Sequence, residues 1–190
     1  MSKNKRFTIA VLVSRLFDPV WMIPAMLAAA ATWSLYNGLR WRFIVILFLL
    51  DGLIPFIYFV HLLKTKEISD WDTTKRNQRF RLYGFVILIH AIGVTFAWIL
   101  GKIILAKILF AFWTLALVFG LVTLFWKISI HTGVSSAAVA FLMILIGPRV
   151  AWLYILVLLI GWARVVMKKH TLVQALAGMI LAPVLLLTVF

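Results

Sequence analysis

Cysteine is absent from this chain and acid is nearly so: five Asp and Glu stand against nineteen Lys and Arg. Without cysteine there is no disulfide, no thiolate metal site and no cysteine nucleophile. Linkers rich in Gly and Ser, low-complexity tracts and internal repeats are also missing, which argues against tethered domains or a solenoid. The shortage of acid leaves a formal charge of +14, and on a soluble chain that balance points to nucleic acid. What is present removes that partner. Apolar residues make up 65% of the 190, against roughly half in soluble proteins, and they run in stretches too long for a soluble nucleic-acid binder. The chain reads as an all-α, polytopic transmembrane helical bundle, a single domain over residues 1–190 with the bilayer as its surroundings.

The first apolar stretch, residues 7–33, is interrupted by Arg15, Asp18, Pro19 and Pro24. It is either an interfacial helix followed by a crossing from Asp18 onward or one long, kinked span. Its basic start has no convincing small-residue cleavage site, so it reads as a retained segment rather than a signal peptide. Further spans are expected at residues 43–63, 82–100, 103–126, 132–146, 150–166 and 171–189. The turn signals Asn37-Gly38, Gly101-Lys102 and Gly147-Pro148 separate some of them. This makes six or seven transmembrane helices, according to whether the first stretch crosses fully.

Three polar stretches remain: residues 64–81, 127–131 and 164–170. Two crossings separate each from the next, so all three face the same side of the membrane. On the seven-span reading that side carries thirteen of the nineteen Lys and Arg. The positive-inside rule would make it cytoplasmic, but a phosphate site must be basic for its own reasons.

In the first stretch Asp72, Arg76 and Arg79 are spaced i, i+4, i+7. On a helix they would share a face and offer two guanidiniums to a phosphate or diphosphate. Asp70 and Asp72 would orient those arginines or hold Mg²⁺ on a diphosphate. A basic loop against anionic headgroups is the plainer reading. The second stretch holds Ser129 and His131, an imidazole and a hydroxyl at a membrane boundary, suited to protonating a leaving oxygen. In the third, Arg164 and His170 lie about 240° apart on a continuous helix and converge only across a break. A helix beginning near His170 would bring Gln174 toward the His170 ring.

These residues carry a resemblance to the type 2 phosphatidic acid phosphatase (PAP2) superfamily of membrane lipid phosphatases, over roughly residues 64–190. The family's first motif, a lysine followed after six residues by Arg-Pro, is matched by Asp72 through Arg79-Phe80. The second, Pro-Ser-Gly-His, is matched by Ile128-Ser129-Ile130-His131. The third, Ser-Arg, five residues, His, three residues, Asp, is matched by Ala163-Arg164, His170 and Gln174. The resemblance implies His170 as nucleophile through a phosphohistidine and His131 as proton donor to the leaving group. Arg79, Arg164 and Ser129 would hold the phosphoryl oxygens. It implies a phosphorylated lipid or a polyprenyl diphosphate as substrate, with no metal and no cofactor. Asp72 in the lysine place, Ile130 for glycine and Gln174 for aspartate imply altered specificity or weakened activity. Two other functions stay open: a non-catalytic lipid-phosphate-binding or transport protein, and a Mg²⁺-dependent isoprenoid diphosphate transferase.

Two ionisable residues fall inside spans. Asp51 is expected to pair with His90 or with Arg15 as a polar bridge between helices. Asp18 is expected to form a local pair with Arg15.

Overall fold

The structure, a computed structural model, describes residues 3–190; Met1 and Ser2, at the head of the basic start, lie outside the described residues. It is all-α, with no strand among the described residues. In chain order the helices are α1 (Lys3–Leu16), α2 (Pro19–Ser34), α3 (Asn37–Leu47), α4 (Ile54–Lys64), α5 (Arg79–Ile99), α6 (Ile103–Phe125), α7 (Ile130–Ile146), α8 (Tyr154–Val166) and α9 (Leu172–Leu187). A π-helical turn, Phe48–Leu53, joins α3 to α4, and 3₁₀ turns precede α5 (Arg76–Gln78) and α8 (Pro148–Leu153).

Five continuous stretches are long and apolar enough to cross a membrane: Asn4–Ser34, Gly38–Lys64, Arg76–Ile99, Ile103–Phe125 and Pro148–Val166. The helices α7 and α9 are apolar but have only 17 and 16 residues. At about 1.5 Å per residue each falls short of a hydrocarbon core of about 30 Å.

The first stretch breaks between α1 and α2 for a local reason. Pro19 has no amide hydrogen and disfavours helical geometry in the residue before it. Asp18 therefore leaves the helix and caps α2, its Oδ1 accepting the Val20 amide at 3.1 Å. The second stretch carries its irregularity at Asp51. Pro55 cannot donate to the Asp51 carbonyl four residues earlier, and the chain answers this missing bond with the π turn.

By contacts the chain forms two compact units, one comprising residues up to Met22 together with Lys127–Thr188, the other Ile23–Trp126. In the first, α8 carries the chain back between α7 and α9, which run side by side in the same direction. Thr132 Oγ1 donates to the Ala175 carbonyl at 2.8 Å, and one turn on Ser136 Oγ donates to Met179 at 2.6 Å. Such hydroxyl bonds and small residues hold helices together in lipid, where no hydrophobic difference drives them to associate. Gly178 sets the limit of approach. A Cβ there would lie 2.5 Å from the Ser129 carbonyl oxygen and 2.6 Å from Thr132 Oγ1.

In the second unit α5 and α6 form a hairpin closed by Gly101, in the left-handed region at φ +67°. Its amide donates to Trp98 and the Lys102 amide donates to Ala97, both at 2.9 Å, the paired bonds of a Schellman turn. Asp51 finds His90 rather than Arg15: Oδ1 lies 2.6 Å from His90 Nδ1, while Nε2 lies 3.0 Å from the Leu109 carbonyl. A carbonyl only accepts, so Nε2 carries a hydrogen and the short contact holds one more proton. Wherever that proton sits, the pair is neutral overall, as a low-dielectric interior requires.

Two predictions follow from this packing. Gly178→Ala costs about 1–3 kcal/mol of stability in detergent unfolding, because backbone, not a flexible side chain, fills the space. His90→Leu costs about 3–5 kcal/mol by leaving the Asp51 carboxyl buried without its partner, and Asp51→Leu in the same chain recovers most of the loss. A double-mutant cycle on thermal midpoints reads the second.

Candidate functional site

The N-terminus of α7, the C-terminus of α8 and the N-terminus of α9 meet at one end of the first unit. Ser129 caps α7 through its side chain, with Thr132 N 3.4 Å from Oγ. Its own amide donates to the Gln174 carbonyl at 3.3 Å, and Lys127 Nζ donates to the Lys169 carbonyl at 2.7 Å. The 127–131 and 164–170 stretches are thus tied to one another directly. Two helix N-termini here turn the positive ends of their dipoles to the same end of the unit.

The backbone of Arg164 and that of His170 are joined by the way α8 ends. Lys168 N donates to Val165 O at 2.9 Å, and Lys169 N donates to Arg164 O at 3.0 Å, again a Schellman pair. His170 N adds a bond to the same Arg164 carbonyl at 3.3 Å. The chain reverses within this turn, which brings the His170 amide back to the Arg164 carbonyl as a continuous helix would not. The residue in the left-handed position is Lys168, at φ +56°, where glycine is the usual occupant.

Arg164 is 1% exposed, His170 6%, Ser129 0% and His131 8%, so all four are buried groups rather than headgroup-facing flanks. Arg164 Nη1 donates to Ser14 Oγ of α1 at 2.7 Å. Asp18, at the corner between α1 and α2, places Oδ2 3.4 Å from Arg15 Nη1 and 3.9 Å from His131 Nε2. The expected local pair with Arg15 is present; the approach to His131 was not legible in the sequence. Nothing in the spacing of Asp18 links it to a histidine more than a hundred residues away. The available signal was a carboxylate at a proline break inside an apolar stretch.

Gln174 departs from its expected role. The helix begins at Leu172, not His170, and Thr171 caps it. Gln174 Oε1 accepts the Thr171 amide at 3.1 Å while Thr171 Oγ1 accepts the Gln174 amide at 3.3 Å. This capping box turns the amide oxygen of Gln174 to the backbone, not to the His170 ring.

Asp72, Arg76 and Arg79 belong to the second unit, and the segment expected to align them on one helical face is a loop until Arg76. Asp70 organises it, its carboxylate accepting Asp72 N at 3.1 Å, Thr74 N at 3.1 Å and Thr74 Oγ1 at 2.7 Å. Arg79, 4% exposed, turns Nε back to the Thr73 carbonyl at 2.9 Å. Arg76 Nη1 lies 2.5 Å from the Leu124 carbonyl in the last turn of α6, and Arg81 pairs with Glu67. No group of three or more His, Asp or Glu side chains suited to a metal occurs among the described residues.

No family model, no curated protein and no solved structure matches the chain. The chemistry of the site has to be read from its own residues.

Because Lys168 carries the left-handed geometry of the turn, Lys168→Gly should raise stability by about 0.5–1 kcal/mol, the side-chain strain relieved outweighing the added chain entropy. A rise in the detergent unfolding midpoint, with substrate-free protein, checks this.

Proposed function

We propose that the chain is a multi-pass membrane phosphatase, similar in plan to the type 2 phosphatidic acid phosphatases, acting on a phosphorylated lipid or polyprenyl diphosphate. On this reading the two shorter helices also cross, giving seven spans. The observation that carries it is the turn after α8, which joins buried Arg164 to buried His170 and is bonded to the segment bearing Ser129 and His131. A buried arginine and two buried histidines on segments bonded to one another, with two helix N-termini at the same end, suit an anion whose charge grows in the transition state.

In the proposed reaction a ring nitrogen of His170 attacks phosphorus and the bond from phosphorus to the lipid oxygen breaks. His131 gives that oxygen its proton, so the lipid leaves as an alcohol, or as a phosphate when the substrate is a diphosphate. Arg164 and the Ser129 hydroxyl hold the phosphoryl oxygens. Water then attacks the phosphohistidine and gives a proton to His131, and the phosphorus–nitrogen bond breaks, releasing phosphate and restoring both histidines.

One observation favours a second reading, a lipid-phosphate-binding protein without turnover: Gln174 closes the capping box and so does not orient the His170 ring. The Mg²⁺-dependent transferase is less well supported, since the Asp70 carboxylate is occupied by its own loop.

The test is phosphate release by the purified protein from phosphatidate, undecaprenyl diphosphate and phosphatidylglycerophosphate. His170→Ala should lower the rate on the preferred substrate by at least about 10³-fold, and intact mass under acid-free conditions should show phosphorylated His170. Equal rates for the two proteins on every substrate overturn the reading, and lipid binding without a phosphohistidine supports the second.

A further inference from the structure

We propose that Asp18 is the carboxylate of this site, a positioning residue that holds the His131 imidazole for proton donation. The inference rests on the phosphatase reading above and extends it to the N-terminal helices, which the motif resemblance does not cover.

The chain's acids are Asp18, Asp51, Glu67, Asp70 and Asp72, and only Asp18 falls in the unit that contains His131, Arg164 and His170. That unit also carries Arg15, Lys127, Arg149, Lys168 and Lys169. A lone carboxylate in so basic a unit would be expected at the surface among the lysines. It is 4% exposed.

Geometry explains its aim. The cap to Val20 fixes one carboxylate oxygen, Oδ1, at the start of α2. The other, Oδ2, is thereby directed to Arg15 and to His131 Nε2. At 3.9 Å the histidine contact is an ion-pair distance, and catalytic contacts are often long in ligand-free structures and tighten with substrate. Arg15 has a side chain that is 42% exposed, so it is the solvent-side partner and His131 the interior one. One turn before Asp18, Ser14 accepts from Arg164. The corner between α1 and α2 therefore supports two of the four site residues, in the manner of the buried acid behind the histidine of a serine-protease triad. With the carboxylate at Nε2, the proton passes to the leaving oxygen from Nδ1.

Such a role makes a claim that mere structural support does not. A general acid matters greatly when the leaving group is a basic alkoxide and little when it is a stable phenolate. Asp18→Asn removes the charge yet keeps the helix cap, since Asn caps as well as Asp. With the full-length protein in detergent, Asp18→Asn should lower kcat on phosphatidate by on the order of 10²-fold with KM little changed. It should leave the rate on para-nitrophenyl phosphate within about threefold of wild type. Equal losses on both substrates would mean that Asp18 only supports the fold, and no loss on either would mean that it is a counter-ion for Arg15; either overturns the proposal. If the wild-type protein releases phosphate from neither substrate and forms no phosphohistidine, the phosphatase reading itself fails and the inference with it.

Discussion

The approach of α9 to the start of α7 at Gly178 is the contact on which the first unit depends. With only a hydrogen at that position, the backbone of α9 comes within van der Waals range of the Ser129 carbonyl and the Thr132 hydroxyl. At that separation the hydroxyls of Thr132 and Ser136 reach carbonyls on the neighbouring helix. The same closeness lets the Ser129 amide bond to Gln174, so one close-packed seam sets the positions of both histidine-bearing segments. A larger residue at the seam would push apart the two helix starts as well as the helices.

The two units handle buried charge in different ways. Unit two keeps its interior pair neutral, with a shared proton between Asp51 and His90 and the other ring nitrogen spent on a carbonyl. Such a pair is a bridge between helices, although Asp51 Oδ2 is buried without a hydrogen-bond partner. Unit one instead assembles a guanidinium, two imidazoles and a single carboxylate, all buried and close to helix ends. A buried guanidinium with two imidazoles and one acid offers hydrogen-bond donors that an anion can complement, and burial strengthens each interaction with that anion. The difference in polarity, rather than burial as such, marks one group of residues as architecture and the other as a candidate site.

Much of this plan was legible in the sequence because it depends on local chemistry. Long apolar runs define the helices whatever surrounds them. Gly101 and the Asp18-Pro19 pair mark their breaks through backbone geometry, and the polar stretches stand out because so little else is polar. The location of Ser129, His131, Arg164 and His170 at helix junctions was readable for the same reason. Other features were not. Lys168 in a left-handed position has no signature of its own, since glycine is the residue that announces such a turn. Gln174 had two possible partners within reach, and the capping box with Thr171 takes its side-chain oxygen.

By itself the sequence determined an all-α chain of apolar helices, read as six or seven spans where the structure has five long enough to cross, and a basic, acid-poor set of junctions between them. Those properties follow from hydropathy and backbone preference, which act over one turn or one span. Only the tertiary structure decided that Asp51 meets His90 and that Arg164 turns to Ser14. It also decided that the lone acid of the first unit lies against His131. Those choices depend on which helix faces come together, and in an apolar interior many faces look alike until small residues let one pair approach more closely than the rest.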